Sequence, residues 1–269
     1  MNFILKVKSG INKFRSIILY VFRTYKYQNN KYPNTFLANV PKVMKAHLKQ
    51  APEIIYTFWT GDNELTPNRK KGLESLRKNA GIEIKLITPQ KLDKYILKDF
   101  PLHEAYEYLS LNHRSDYLRA YFMLHYGGGY ADIKLYKHSW KKAFEKLNAS
   151  SDKWALGYRE LGAWGVPKLS GKLGKDLKKY YLYLIGNGAF IYKPNSPIAK
   201  EWMEEVHRRL DGYYEKLKEN PAEDVFGSNE NYPIPWAHLT GEIHHPLALK
   251  YHDKTLKSKS VLPSMKNYR

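Results

Sequence analysis

The sequence predicts an α/β domain built on a mostly parallel central sheet flanked by helices, preceded by an amphipathic helix. Three observations predict this fold. Apolar strand-like runs alternate with capped helical segments from residue 53 onward. Three consecutive glycines, Gly127 to Gly129, separate a helical pattern from a strand pattern. Before residue 28, apolar residues recur at helical spacing.

The elements follow in chain order. In residues 1–28, Ile4, Val7, Ile11, Phe14, Ile18 and Phe22 share one helical face, with Lys6, Lys8, Lys13, Arg15, Arg23 and Lys26 interspersed. No acid precedes Glu53. Such a helix lies on an anionic membrane surface, packs on its own domain or binds a partner, and periodicity alone does not choose. Charges interrupt the apolar stretch and no small-residue cleavage site follows, unlike a cleaved signal peptide. No run approaches the roughly 18 apolar residues that span a bilayer. Residues 29–52, rich in Asn, Lys and Pro, read as a linker into a main domain over residues 53–269.

That domain opens with EIIYTFW, residues 53–59, as a buried strand. Thr66-Pro67 supplies an N-cap and a first-turn proline for a helix to about Asn79. Residues 83–87 alternate as a strand, and Thr88-Pro89 repeats the cap. Residues 102–126 read as one or two helices, the second from about Asn112, ending at the glycines. Residues 130–136, 153–159 and 188–193 read as strands, with an exposed loop carrying some helix over 162–179. Ser196-Pro197 caps a long helix with Trp202, Val206, Leu210 and Tyr213 inward. From about residue 219 there is little periodicity.

Composition bounds the function. A chain of 269 residues with 43% hydrophobic and 14% aromatic residues forms one sizeable core, which excludes wholesale disorder. The net charge of +19 predicts an anionic partner: nucleic acid, acidic lipid or a phosphorylated small molecule. With no cysteine, disulfides and thiolate metal sites are excluded, which fits a reducing cytoplasm. The 23 tyrosines suit sugar and base clefts as well as half-buried strands.

The chemistry concentrates in HRSDYLRAYFMLHYGGGYADIKL, residues 113–135. Asp116 and Arg119 are three apart and share a helical face. The glycines then turn the chain into a strand that delivers Asp132 at its far end, where ligands collect in open α/β sheets. Asp116, Arg119 and Asp132 are therefore expected to converge on one cleft.

The pattern Ser-Asp-x-x-Arg, an apolar helix, then Gly-Gly-x-Tyr-x-Asp resembles glycosyltransferases with a DXD-type sugar-binding region. These include capsular polysaccharide, lipopolysaccharide and initiating mannosyl transferases. The matching residues are Ser115, Asp116, Arg119, Gly127, Gly128, Tyr130 and Asp132, and residues 53–61 resemble the family's first strand. The resemblance implies a GT-A-like single domain and a nucleotide-sugar donor. It also implies transfer of a hexose, with retention, to a hydroxyl of a glycan or glycolipid acceptor. Donor contacts are implied for Trp59, Ser115, Asp116, Arg119, Gly128, Tyr130 and Asp132. Trp59 is otherwise a core aromatic. The chain departs from the motif at Lys134, where the family usually has a second, metal-binding acid. Lysine cannot ligate Mn or Mg. Either its ammonium replaces the cation, or Asp132 holds a divalent metal with more distant groups, or the chain is an inactive relative. Asp132 and Lys134 are the candidate catalytic pair.

In the tail, His238 and His244 are candidate phosphate or metal contacts, or members of a surface loop. Asn187 and Gly188 open the strand that borders the acceptor side in the family. The competing function is a basic module for nucleic acid or another polyanion, although no nucleic-acid motif accompanies the charge and no nucleic-acid partner is expected. Location is expected in the cytoplasm, with peripheral contact on the inner face of the membrane.

Overall fold

Residues 3–22, 24–38 and 48–266 are described by a computed structural model. A six-stranded sheet carries the fold, with β1 (Ile54–Phe58), β2 (Glu83–Ile87), β3 (Gly128–Ala131), β4 (Ala155–Arg159), β5 (Ile185–Tyr192) and β6 (Thr255–Lys257). The strand order is β2-β1-β3-β5-β4-β6. Pairings are parallel except the two made by β5, which runs against both β3 and β4. The two-residue period of a strand sends alternate side chains to two different cores. Ile55, Ala131 and Ile191 join Leu76, Trp140 and Phe144 on one face, while Tyr56, Tyr130 and Phe190 join Phe122 and Trp202 on the other.

The first face is covered by α2 (Pro67–Asn79) and α5 (Lys141–Asn148). The second is covered by α4 (Leu111–His125), α7 (Pro197–Glu219) and α8 (Gly241–Lys250). Shorter or outlying helices are α1 (Phe3–Val21), α3 (Pro89–Leu92) and α6 (Gly171–Lys179). The caps act as the sequence requires: Thr66 accepts from the Arg69 amide and Ser110 from the His113 amide. The α4-to-β3 turn needs glycine. Gly127 and Gly128 have φ of 64° and 81°, and a Cβ on Gly128 would lie 2.7 Å from the Ile54 carbonyl oxygen.

Several expectations differ from what is observed. β3 ends at Ala131, not Tyr136, so Asp132 and Lys134 lie on the loop that leaves it. β5 begins three residues earlier than expected and β4 two residues later. α8 and β6 were not expected at all. α8 is buried around nearly its whole circumference and contains Pro246, so it shows no amphipathic period. Residues 29–52, read as a linker, carry Tyr32 and Leu37 into the main core, together with Tyr25; residues 39–47 lie outside the described ones. α1 is a helix as expected. The side chains of Ile4, Lys6, Val7, Lys8 and Ile11, and the whole of Arg23, lie outside the described residues. No described helix is long and apolar enough to cross a membrane.

Candidate functional site

Parallel pairing puts the C-terminal ends of β1 and β3 at one edge of the sheet, and antiparallel β5 brings its beginning there. Loops and the starts of α4 and α8 converge on that edge, the usual ligand position in open α/β sheets. Asp132 follows β3, with its amide donating to the Gly188 carbonyl at 2.8 Å. Tyr136 OH donates to the Asp132 carbonyl at 3.1 Å, fixing the loop from behind.

The carboxylate of Asp132 is gripped on both oxygens. Tyr130 OH donates to Oδ1 at 2.7 Å and an Arg119 Nη lies 3.3 Å from the same oxygen. Lys134 Nζ lies 2.9 Å from Oδ2. Arg119 also reaches Asp116 Oδ1 at 3.5 Å, donates to the Asn187 carbonyl at 3.2 Å and lies over the Tyr130 ring at 4.5 Å. Thr240 at the start of α8 donates to the other oxygen of Asp116 at 3.3 Å. Ser115 adds a hydroxyl contact to Tyr130. Two carboxylates and two cations thus form one network.

Burial sets their protonation. Desolvation pushes the Asp116 carboxyl up to about 6, with Arg119 opposing and Asp132 reinforcing the rise. Burial acts on Asp132 in the same direction, but Lys134, Arg119 and the Tyr130 hydrogen bond outweigh it and hold that carboxyl below its ordinary value. Neighbouring carboxylates in one network are therefore driven apart. Arg119 Nε and Asn187 Oδ1 are buried without a protein hydrogen-bond partner among the described residues. Asp132 keeps 18% of its side chain exposed, enough for a ligand to touch it.

The other expected residues fall into two groups. Trp59 lies at the end of β1, its indole donating to the Asn63 carbonyl at 2.6 Å. It lines a hollow of about 90 Å³ with Thr60, Pro89, Arg114 and Leu118, so it opens to the same edge of the sheet. Gly128, for which the resemblance implies a donor contact, sits at the opposite end of β3 from Asp132, packed against the entry of β1. His238 is bound into a separate cluster. Its Nδ1 lies 2.8 Å from Glu242 and 3.1 Å from an Arg209 Nη, a cation that opposes metal binding. His244 is fully buried between Phe190 and Trp202, with ring centroids 5.1 and 4.8 Å away. Burial, with His245 and Arg119 adding, holds it neutral, well below the ordinary histidine range.

A divalent cation does not fit the residues present. Mg²⁺ and Mn²⁺ want several oxygen ligands, yet both Asp132 oxygens face cations and Asp116 shares the same arginine. Among the described residues no group of three or more His, Asp or Glu could hold a metal ion.

Three contributors escaped the sequence reading. Thr240 meets Asp116 from 124 residues away, and Tyr158 OH accepts from the Gly188 amide at 3.3 Å. His113, buried beneath the start of α4, bonds Tyr232 OH at 2.8 Å and is pushed down to about 4 by desolvation. No local pattern signals any of these long-range pairings.

The fold and site define an α/β protein with a buried, charge-balanced cluster of side chains at the strand ends of its sheet. The family model described as capsular polysaccharide synthesis protein matches residues 16–155, just over half of the chain. The chain belongs to that family. Among solved structures it is similar to one described as PaToxG Glycosyltransferase. The two share 12% identity over 92% of this chain and 80% of that one, with a TM-score of 0.40. No curated protein matches the chain.

Proposed function

We propose that this chain is a GT-A-type glycosyltransferase. It takes a sugar from a nucleotide-sugar donor and passes it to a hydroxyl of a glycan or glycolipid in capsular polysaccharide synthesis. One observation carries the reading: Asp116, Arg119, Asp132 and Lys134 meet at the strand-end edge of the sheet, linked by contacts of 2.9 to 3.5 Å.

The chemistry follows from what the reaction must stabilise. The acceptor oxygen bonds to the anomeric carbon while the carbon–oxygen bond to phosphate breaks, its electron pair leaves with the nucleoside diphosphate, and the acceptor's hydroxyl proton passes to the departing phosphate oxygen. Charge rises on that diphosphate, and preorganised cations in a water-poor site are the effective counter. Lys134 and Arg119 supply them, and Lys134 takes the place of a metal. The carboxylates of Asp132 and Asp116, with Asn187 Oδ1, accept hydrogen bonds from sugar or ribose hydroxyls. Trp59 offers a face to the base beside Arg114. Family resemblance adds transfer of a hexose with retention at the anomeric carbon, and a place at the cytoplasmic face of the membrane. There the basic α1 makes peripheral contact with anionic lipid.

The test is a transfer assay against UDP-, GDP- and CMP-sugars in EDTA. Turnover of one donor, abolished by Asp132→Ala, is expected. Turnover only with added Mn²⁺ would remove lysine-for-metal, and wild-type turnover by Asp132→Ala would remove the site.

A further inference from the structure

One side of α1 is already occupied by the domain. Ser16 Oγ donates to the Lys179 carbonyl at 3.0 Å, Tyr183 OH donates to the Leu19 carbonyl at 2.9 Å, and Tyr20 packs edge-on against Tyr183 with centroids 5.1 Å apart. On the other side, among the described residues, Phe14 is 67% exposed, Val21 65% and Phe22 73%, with Ile17 and Ile18 also exposed. Lys13 and Arg15 lie exposed among them. Adjacent apolar side chains left open in this way mark an interaction surface.

A second segment, residues 159–179, touches α1 at both of its ends. Arg159 donates to Tyr20 OH at 3.1 Å and covers that ring at 4.4 Å, while Lys179 is the acceptor for Ser16. Between these anchors stand Leu161, 41% exposed, and Trp164, 76% exposed. Lys168, Lys172, Lys175 and Lys178 are exposed along the same stretch. Its acids turn away from solvent. Glu160 is 7% exposed and lies 3.2 Å from His245, and Asp176 is held by Tyr32 at 2.9 Å and Lys31 at 3.5 Å. Apolar side chains ringed by cations, with the acids turned inward, complement an anionic lipid surface rather than a second copy of the same basic chain.

We infer that α1 and residues 159–179 form one bipartite surface that seats on an anionic bilayer. Trp164 and Leu161 enter the headgroup–acyl boundary beside the apolar stripe of α1, and the lysines meet the lipid phosphates. This rests on the membrane contact of the proposed function and adds a second element to it. It also orients the site. Pro167 packs 3.7 Å from where a Cβ on Gly241 would stand, next to the Asn187 amide, so the bilayer-facing segment borders the Asp132 network. The acceptor class that fits this placement is a sugar carried on a membrane lipid.

Flotation with phosphatidylcholine vesicles, with and without phosphatidylglycerol, tests the surface. The wild type is expected to float with the anionic vesicles and to release in high salt. Leu161→Ser with Trp164→Ser, α1 being intact, is expected to lower partition about tenfold. Lys172→Glu with Lys175→Glu lowers it again, and Phe14→Ser with Phe22→Ser abolishes it. Wild-type flotation by the Leu161/Trp164 variant, with loss in the Phe14/Phe22 variant, would overturn the second element and leave contact through α1 alone. A wild type that ignores anionic vesicles and forms a dimer broken by Trp164→Ser would overturn the bilayer as occupant. Thermal melts verify folding. Donor-induced thermal shifts, measured on the same variants, stay at wild-type size, so loss of the membrane surface is distinguishable from failure of the donor site.

Discussion

The cleft between residues 99–104 and α7 holds about 690 Å³, against about 90 Å³ for the hollow at Trp59, yet neither is lined by any of the four charged side chains around Asp132. The larger is lined by Phe100, His103, Tyr121, His125, His207 and Asp211. There His103 and Asp211 make a hydrogen bond of 3.0 Å, and the carboxylate is 73% exposed, so water screens it. At Asp132 the four charged side chains are between 3% and 18% exposed, where the same separations carry far more electrostatic weight. Volume and chemistry have separated. A loop laid across two helices makes a hollow, whereas the sheet's strand ends gather charges that no helix surface could hold together.

The strongest way to break this contrast is Asp132→Asn. Loss of the carboxylate that both cations grip is expected to lower transfer about 10²- to 10³-fold in a steady-state assay, whereas undiminished turnover would make the network merely structural. Arg119→Lys keeps the charge and removes the fork that spans Asp116, Asp132 and the Asn187 carbonyl. Donor affinity by calorimetry is expected to fall about 10- to 100-fold.

Asp116→Asn sharpens the contrast through stability. The folded-state carboxyl titrates near 6, above its ordinary 3.8, so the native state holds the proton more tightly and stability falls as pH rises between those values. The neutral variant is expected to melt a few degrees higher than the wild type at pH 8, with the gap closing towards pH 4, while transfer drops. A wild type that melts higher at pH 8 would contradict the buried-charge account. Smallest of all, His207→Ala in the large cleft is expected to leave transfer within about twofold of wild type; a large loss would move the centre of chemistry there.

Much of this was legible beforehand. Thr66-Pro67 and the alternation at 83–87 specify α2 and β2 locally, through caps and periodicity. Asp116 and Arg119 meet because three residues make nearly one helical turn, and Asp132 joins them because α4 packs on β3, with Arg119 over the Tyr130 ring. What could not be read came from distance in sequence or from complete burial. Thr240 reaches Asp116 only because α8 folds back onto β5. α8 itself is apolar on almost every side, so the period that reveals surface helices is missing. The donor contact of Gly128 was implied by resemblance alone, and the backbone this glycine approaches is that of β1. His238 and His244 carry the residue type of a metal site without its geometry: one is bonded to a guanidinium, the other encased in aromatic rings.

The central claim is that these four charged side chains hold a nucleotide-sugar without help from a metal. Thermal shift of the wild type and of Asp132→Asn against UDP-, GDP- and CMP-sugars, in EDTA, tests it most directly. The account predicts that one nucleotide class raises the wild-type melting temperature by several degrees and leaves the variant unmoved. No shift with any donor, or equal shifts in both proteins, would contradict it.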